Sequence, residues 1–263
     1  MNSHKKGSYK AYFILTIIFT VPAYILVGLA SNNLFFKKEM AITFLFLSVI
    51  APLGAALLLS YRENGREGVK KLFAKSFDFK KITKKIWYLP ILFLIPFIFV
   101  TVYGILILAG LSIPAAQFPY YTIPIQFILF FVMAIGEELG WMGYAYEPLE
   151  KKFGIFKATI ILGIIWAIWH IPFYYYLMGE LLYILLLPLC LFGIRIILVW
   201  IYNHTKQSVF GVICFHAMYN ITIGVVPNYN INEGLIITCI LILITAVIIT
   251  VTVGTKNKTP ITS

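Results

Sequence analysis

Long apolar runs separated by short polar connections dominate the chain. A helix of about 20 apolar residues is long enough to cross the roughly 30 Å hydrocarbon core of a bilayer. Eight such runs stand out, at about 11–30, 40–60, 87–111, 121–145, 156–176, 181–202, 208–226 and 234–254. The pattern predicts an all-α, polytopic transmembrane bundle of about eight spans. No internal repeat or low-complexity linker divides it, so one membrane domain, 1–263, accounts for the whole chain. The first run follows Lys5, Lys6 and Lys10, as in a signal-peptide n-region. Seven more runs come after it, so it reads as a retained first helix.

Composition agrees with that pattern and narrows it. Hydrophobic residues make up 61% of the chain and charged residues 12%, with a mean hydropathy of +0.91. A soluble domain carries about 25% charged residues and could not hide this much apolar surface. Cys190, Cys214 and Cys239 lie in apolar runs and are odd in number, which suits buried free thiols and excludes a disulfide framework.

The net charge of +11 raises the question of nucleic acid, and the placement of the charges answers it. Arg62, Arg66, Lys70, Lys71, Lys75, Lys80, Lys81, Lys84 and Lys85 crowd the connection after the second run. Lys151, Lys152 and Lys157 follow the fourth, Lys206 the sixth, and Lys256 and Lys258 the last. With both termini cytoplasmic, all of these fall inside, as the positive-inside rule asks, and only Lys37 and Lys38 fall outside. The charge therefore sets orientation in a cell membrane and favours contact with anionic membrane lipids, with no nucleic-acid partner. The 61–86 connection reads either as a helix lying on the inner leaflet or, more simply, as a solvated link.

Ionisable residues inside hydrocarbon cost roughly 2.5–3.5 kcal/mol each at a helix centre and tend to mark function. The apolar runs contain Glu137, Glu138, His170, Arg195 and His216, with the neutral amide of Asn220. At about 1.5 Å per residue, Glu137 lies roughly 13 Å from the basic end of its helix, His170 roughly 20 Å and His216 roughly 12 Å. Three helices thus bring polar groups to one stratum. His216 and Asn220 are i,i+4 on one helix face, as are Trp166 and His170. Gly136, Gly140 and Gly143 surround the glutamate pair and allow close helix approach or local unwinding. Pro172 would end or kink the helix just past His170.

Two carboxylates and two imidazoles without an obvious nucleophile suit the activation of water. A desolvated glutamate can act as general base, and an imidazole with an amide can donate to an oxyanion. Two histidines and one glutamate could instead hold zinc, with Glu137, His170 and His216 as ligands and one position left for water. Cys214, two residues before His216, points to a different face, and Arg195 near the inner end of its helix could snorkel to the interface. A proton-coupled transporter would use similar groups, but no pair of interrupted helices in matching halves supports one.

The polar motifs resemble those of the CPBP family, the CAAX-protease and bacteriocin-processing membrane peptidases also called the Abi family. Its EExxxR motif is matched by Glu137-Glu138-Leu139-Gly140-Trp141-Met142, its FxxxH motif by Trp166-Ala167-Ile168-Trp169-His170, and its HxxxN/D motif by His216-Ala217-Met218-Tyr219-Asn220. The three occur in order within about 120–225, the expected protease core. The resemblance implies that Glu137 activates water with help from His170, that His216 and Asn220 polarise the scissile carbonyl, and that Glu138 supports the site. It also implies a lipid-modified or amphipathic peptide substrate, a prenylated tail or a bacteriocin- or pheromone-like peptide, and it leaves metal dependence open. One position departs from the motif. Met142 stands where the arginine should be and cannot pair with Glu138. Either Arg195 supplies that charge from the sixth run, or the site is weakened and the protein serves as an immunity factor or scaffold.

Overall fold

The computed structural model describes residues 8–32 and 34–256, without the side chains of 253–256. Lys5, Lys6 and Lys258, which contribute to the charge argument, lie outside them. Among the described residues ten α-helices follow in order: α1 Tyr9–Ser31, α2 Met40–Ser48, α3 Ala51–Ala74, α4 Tyr88–Leu108, α5 Ile123–Gly140, α6 Tyr146–Trp169, α7 Ile171–Met178, α8 Leu181–His204, α9 Val209–Val225 and α10 Asn232–Lys256. No strand occurs among the described residues. All eight expected runs are helical.

Among the described residues, six helical stretches are long and apolar enough to cross a membrane by length and composition. One of them, Tyr120–Met178, is 59 residues long and contains both the fourth and the fifth expected runs, while Val209–Val225 is a shorter apolar helix of 17 residues. Ile14, Ile17, Phe93, Phe97, Ile240 and Val247 point outward and are exposed. Apolar side chains all round the outside are what a bundle dissolved in lipid presents, and the protein is a multi-pass membrane protein.

The bundle is assembled around two packing axes. Helix α5 lies against α9 and α3, and α8 lies against α6 and α10. Small residues decide how close the first set can come. A Cβ on Gly140 would stand 2.4 Å from the Tyr12 hydroxyl and 2.6 Å from the Pro52 carbonyl oxygen, so only glycine fits where α5 meets α1 and α3. The Gly140→Ala variant is expected to lose about 1–3 kcal/mol to overpacking, read as a lower unfolding midpoint in detergent; an unchanged midpoint would mean that the contact yields.

The helix breaks fall where the chain supplies a reason. Pro172 has no N–H to donate, so α6 stops at Trp169 and α7 starts after His170 with Pro172 in its first turn. Immediately after Gly140 the backbone widens into a π-turn over Trp141–Ala145, the local unwinding that the glycines permit. Gly65 sits at φ +58° and breaks α3.

The 61–86 connection is tied into the bundle and is not simply a solvated link. Leu72, Ser76 and Ile82 are buried, and Asp78 accepts hydrogen bonds from the Ser208 hydroxyl and the Phe210 amide at the start of α9. A carboxylate capping orphan amides at a helix N-terminus offsets both the amides and the dipole. The connection is thus tied to the bundle end from which α9 carries His216.

Candidate active site

Glu137 and Glu138 are consecutive, so their side chains leave α5 about 100° apart and meet different neighbours. The Glu137 Oε2 accepts a hydrogen bond of 2.9 Å from the Trp166 indole N–H on α6. One turn further along, His170 closes α6 with its Nδ1 2.8 Å from the Trp166 carbonyl oxygen. A carbonyl oxygen only accepts, so Nδ1 carries the proton and donates. In the neutral ring Nε2 is then the free acceptor, and it faces Glu137 Oε2 at 3.8 Å. That separation exceeds a direct hydrogen bond.

Glu138 turns the other way and is fully buried. Arg195 from α8 donates to both of its oxygens, Nη1 to Oε2 at 2.7 Å and Nη2 to Oε1 at 3.1 Å. His216 from α9 adds a third bond, Nδ1 to Oε1 at 2.8 Å. Such a forked, charge-assisted contact is what an arginine gives a carboxylate. The charge that Met142 lacks therefore comes from Arg195, which does not snorkel but is itself fully buried. Its guanidinium also lies over the Trp166 ring, 3.9 Å from the centroid. Trp166 thereby links the two glutamates: its edge holds Glu137 and its face holds the partner of Glu138. Met142 is buried in the π-turn.

Glu137, Trp166, His170, His216 and Asn220 line one cavity of about 470 Å³. Asn220 is half-buried and makes no hydrogen bond among the described residues, as is also true of His216 Nε2. Tyr24, Phe46, Phe173 and Tyr174 line the same cavity, giving a polar floor under aromatic walls. Sequence reasoning missed these walls, because one aromatic residue among 17% has no mark of its own. The spacing of Phe173 and Tyr174 from His170, at i+3 and i+4, was the available signal. The exposed lining residues Phe46, Gln117 and Leu177 belong to the end of the bundle away from the basic connections.

The metal-ligand grouping also differs from the one expected. Among the described residues, Glu137, Glu138 and His216 each offer a ligand atom within 4.8 Å of the others, and this group could hold a metal. His170 is not in that set, although its Nε2 remains free while Nδ1 is committed to the Trp166 carbonyl oxygen. In the arrangement present, both Glu138 oxygens and His216 Nδ1 are already engaged with one another and with a guanidinium. A cation there would have to displace those bonds and sit beside Arg195.

Trp166→Phe isolates one of these contacts, since it removes the indole N–H but keeps a ring under Arg195. Hydrogen bonds to charged groups are worth about 1.5–3 kcal/mol, so turnover at this site is expected to fall about 10- to 100-fold. The unfolding midpoint should change little. Unaltered turnover would show that the indole is there only for packing.

Two comparisons with known proteins bear on this geometry. The family described as "Type II CAAX prenyl endopeptidase Rce1-like" matches residues 119–222, which include all three polar motifs. The chain is also 29% identical over 269 residues to "CAAX prenyl protease 2" of Methanococcus maripaludis, an alignment covering 95% of this chain and 96% of that protein.

Proposed function

We propose that the chain is a CAAX-type protease of the CPBP family and that it hydrolyses a membrane-associated peptide through water activated by Glu137. The observation that carries this reading is the 3.8 Å gap between Glu137 Oε2 and His170 Nε2, with both groups held from behind by Trp166. Two acceptors that cannot bond each other, on the floor of a cavity, suit a water that donates to either.

In the proposed reaction the water oxygen attacks the scissile carbonyl carbon while Glu137 takes its proton, with His170 Nε2 holding the second hydrogen. The carbonyl oxygen becomes an oxyanion and accepts from the Asn220 amide and His216 Nε2. Because His216 Nδ1 already donates to Glu138, Nε2 can donate only in the imidazolium form. Charge balance favours that form, since Glu137 and Glu138 are then matched by Arg195 and His216. The C–N bond breaks as Glu137 returns its proton to the leaving amine. Glu138 and Arg195 do not touch substrate in this scheme; they orient His216.

The same donor set supports a metal-free mechanism over a zinc one, since a cation would have to compete with Arg195 for Glu138. As substrate we propose a lipid-modified peptide, of the prenylated CAAX kind after which the relatives are named. The aromatic walls around Phe173 and Tyr174 are suited to an apolar chain. We further propose that the protein resides in the cell membrane with both termini cytoplasmic, as one domain with its protease core at about 120–225.

Purified protein in liposomes, offered a farnesylated CAAX peptide and its unprenylated counterpart, should release the tail of the first far faster. Activity should survive chelation. Failure of folded protein to cleave either peptide would overturn the proposal, and loss of activity on chelation with recovery on adding zinc would replace the metal-free scheme with a metal one.

A further inference from the structure

A second cavity, of about 570 Å³, lies at the basic end of the bundle behind the π-turn and apart from the cavity that holds Glu137. Tyr9 of α1, Glu63 and Lys71 of α3, Lys75 just after it, and Lys151 and Lys152 of α6 line it. The break at Asn64–Gly65 makes this concavity, because it folds the second part of α3 back across the end of the first. Four ammonium groups thus surround one space, and few of their charges are answered there. Lys151 pairs with Glu147, and the Lys75 Nζ donates to the Gly143 carbonyl oxygen in the π-turn. Lys152 donates to the neutral Tyr9 hydroxyl at 2.9 Å. Glu63 is engaged by the Tyr144 hydroxyl rather than by a lysine, and Lys71 has no partner among the described residues. Four cations against two carboxylates leave an excess of two positive charges around the recess, with Lys75 half-buried and the other three lysines exposed at its rim.

We infer that this recess is a binding site for a phosphate anion, with Lys71, Lys75, Lys151 and Lys152 as its cationic wall. A phosphate mono- or diester fits the excess charge, offers several acceptor oxygens to the ammonium donors, and reaches a pocket at the end of α1, α3 and α6 from the membrane surface. A phospholipid headgroup and free phosphate share this chemistry. Bound there, the anion ties together α1, α3 and α6 through Tyr9, Lys71 and Lys152.

The test uses the full chain and does not depend on peptidase activity. Unfolding midpoints are compared in phosphatidylcholine vesicles, in vesicles containing phosphatidylglycerol, and in detergent titrated with inorganic phosphate. Wild-type protein should be stabilised saturably by at least one anion. Binding should weaken about tenfold or more in K71Q/K152Q, while K80Q/K84Q, which removes two equivalent charges outside the recess, should bind as wild type does. Stabilisation by phosphatidylglycerol alone identifies a lipid headgroup, and stabilisation by inorganic phosphate identifies a free anion. No stabilisation by either anion, or equal losses in the two double variants, would overturn the inference.

Discussion

Glu137→Gln is expected to abolish peptide hydrolysis and to leave the bundle folded. The amide keeps the shape of the side chain, and its oxygen can still accept from the Trp166 indole, so the packing around α5 and α6 has no reason to change. It cannot take a proton from water. General-base catalysis contributes about 10²–10⁴-fold, and at least that much of the rate should disappear. His170→Ala should lower the rate too but by less, since in the proposed scheme the imidazole holds the water and does not receive the transferred proton. The measurement is release of the tail from a prenylated peptide in liposomes, with unfolding midpoints as the control for structure. A Glu137→Gln protein that cleaves at the wild-type rate would remove Glu137 from the mechanism, whatever the variant does to stability.

Arg195→Met is expected to have the largest effect on stability. It leaves Glu138 fully buried with His216 as its remaining charged partner, and breaking a buried pair from one side costs about 3–5 kcal/mol. It also removes the cation above Trp166. The two losses act on both halves of the site, so hydrolysis should fall with the unfolding midpoint. Arg195→Lys separates charge from geometry: an ammonium keeps the positive charge but cannot fork onto two carboxylate oxygens. Its midpoint should lie between those of wild type and Arg195→Met. A wild-type midpoint for Arg195→Met would mean that Glu138 is buried as a neutral acid and that the arginine does not compensate for Met142.

That substitution also marks where sequence reasoning met its limit. The motif places an arginine four residues after Glu138, and its loss at Met142 suggested either a weakened site or a replacement from elsewhere. Position in the sequence could not choose between them. Residues 138 and 195 are 57 apart, and only the packing of α5 and α8 against α9 in the bundle brings the guanidinium to the carboxylate. The site is therefore charged as the motif requires, but the charge arrives from another helix. The 61–86 connection illustrates the same limit. Its lysines mark it as a basic, surface-seeking segment, yet Asp78 anchors it to the start of α9 through hydrogen bonds to residues 130 and 132 positions away.

What the amino-acid sequence determined by itself is everything that depends on local pattern and on solvent. Apolar runs of bilayer length require helices, because an unsatisfied backbone in lipid is too costly. Pro172 and the glycines around Glu137 fix where those helices stop or widen, because they change what the backbone can bond. Ionisable groups at matched depth announce a site, because each must find a partner there. The tertiary structure decided the pairing within that site: Trp166 on Glu137, Arg195 and His216 on Glu138, and His170 turned by the Trp166 carbonyl oxygen to leave Nε2 free. It also decided that the cavity rim lies away from the basic connections and that the second recess exists at all. Each of these depends on directions between helices, and a distance across a bundle has no signature in spacing along a chain.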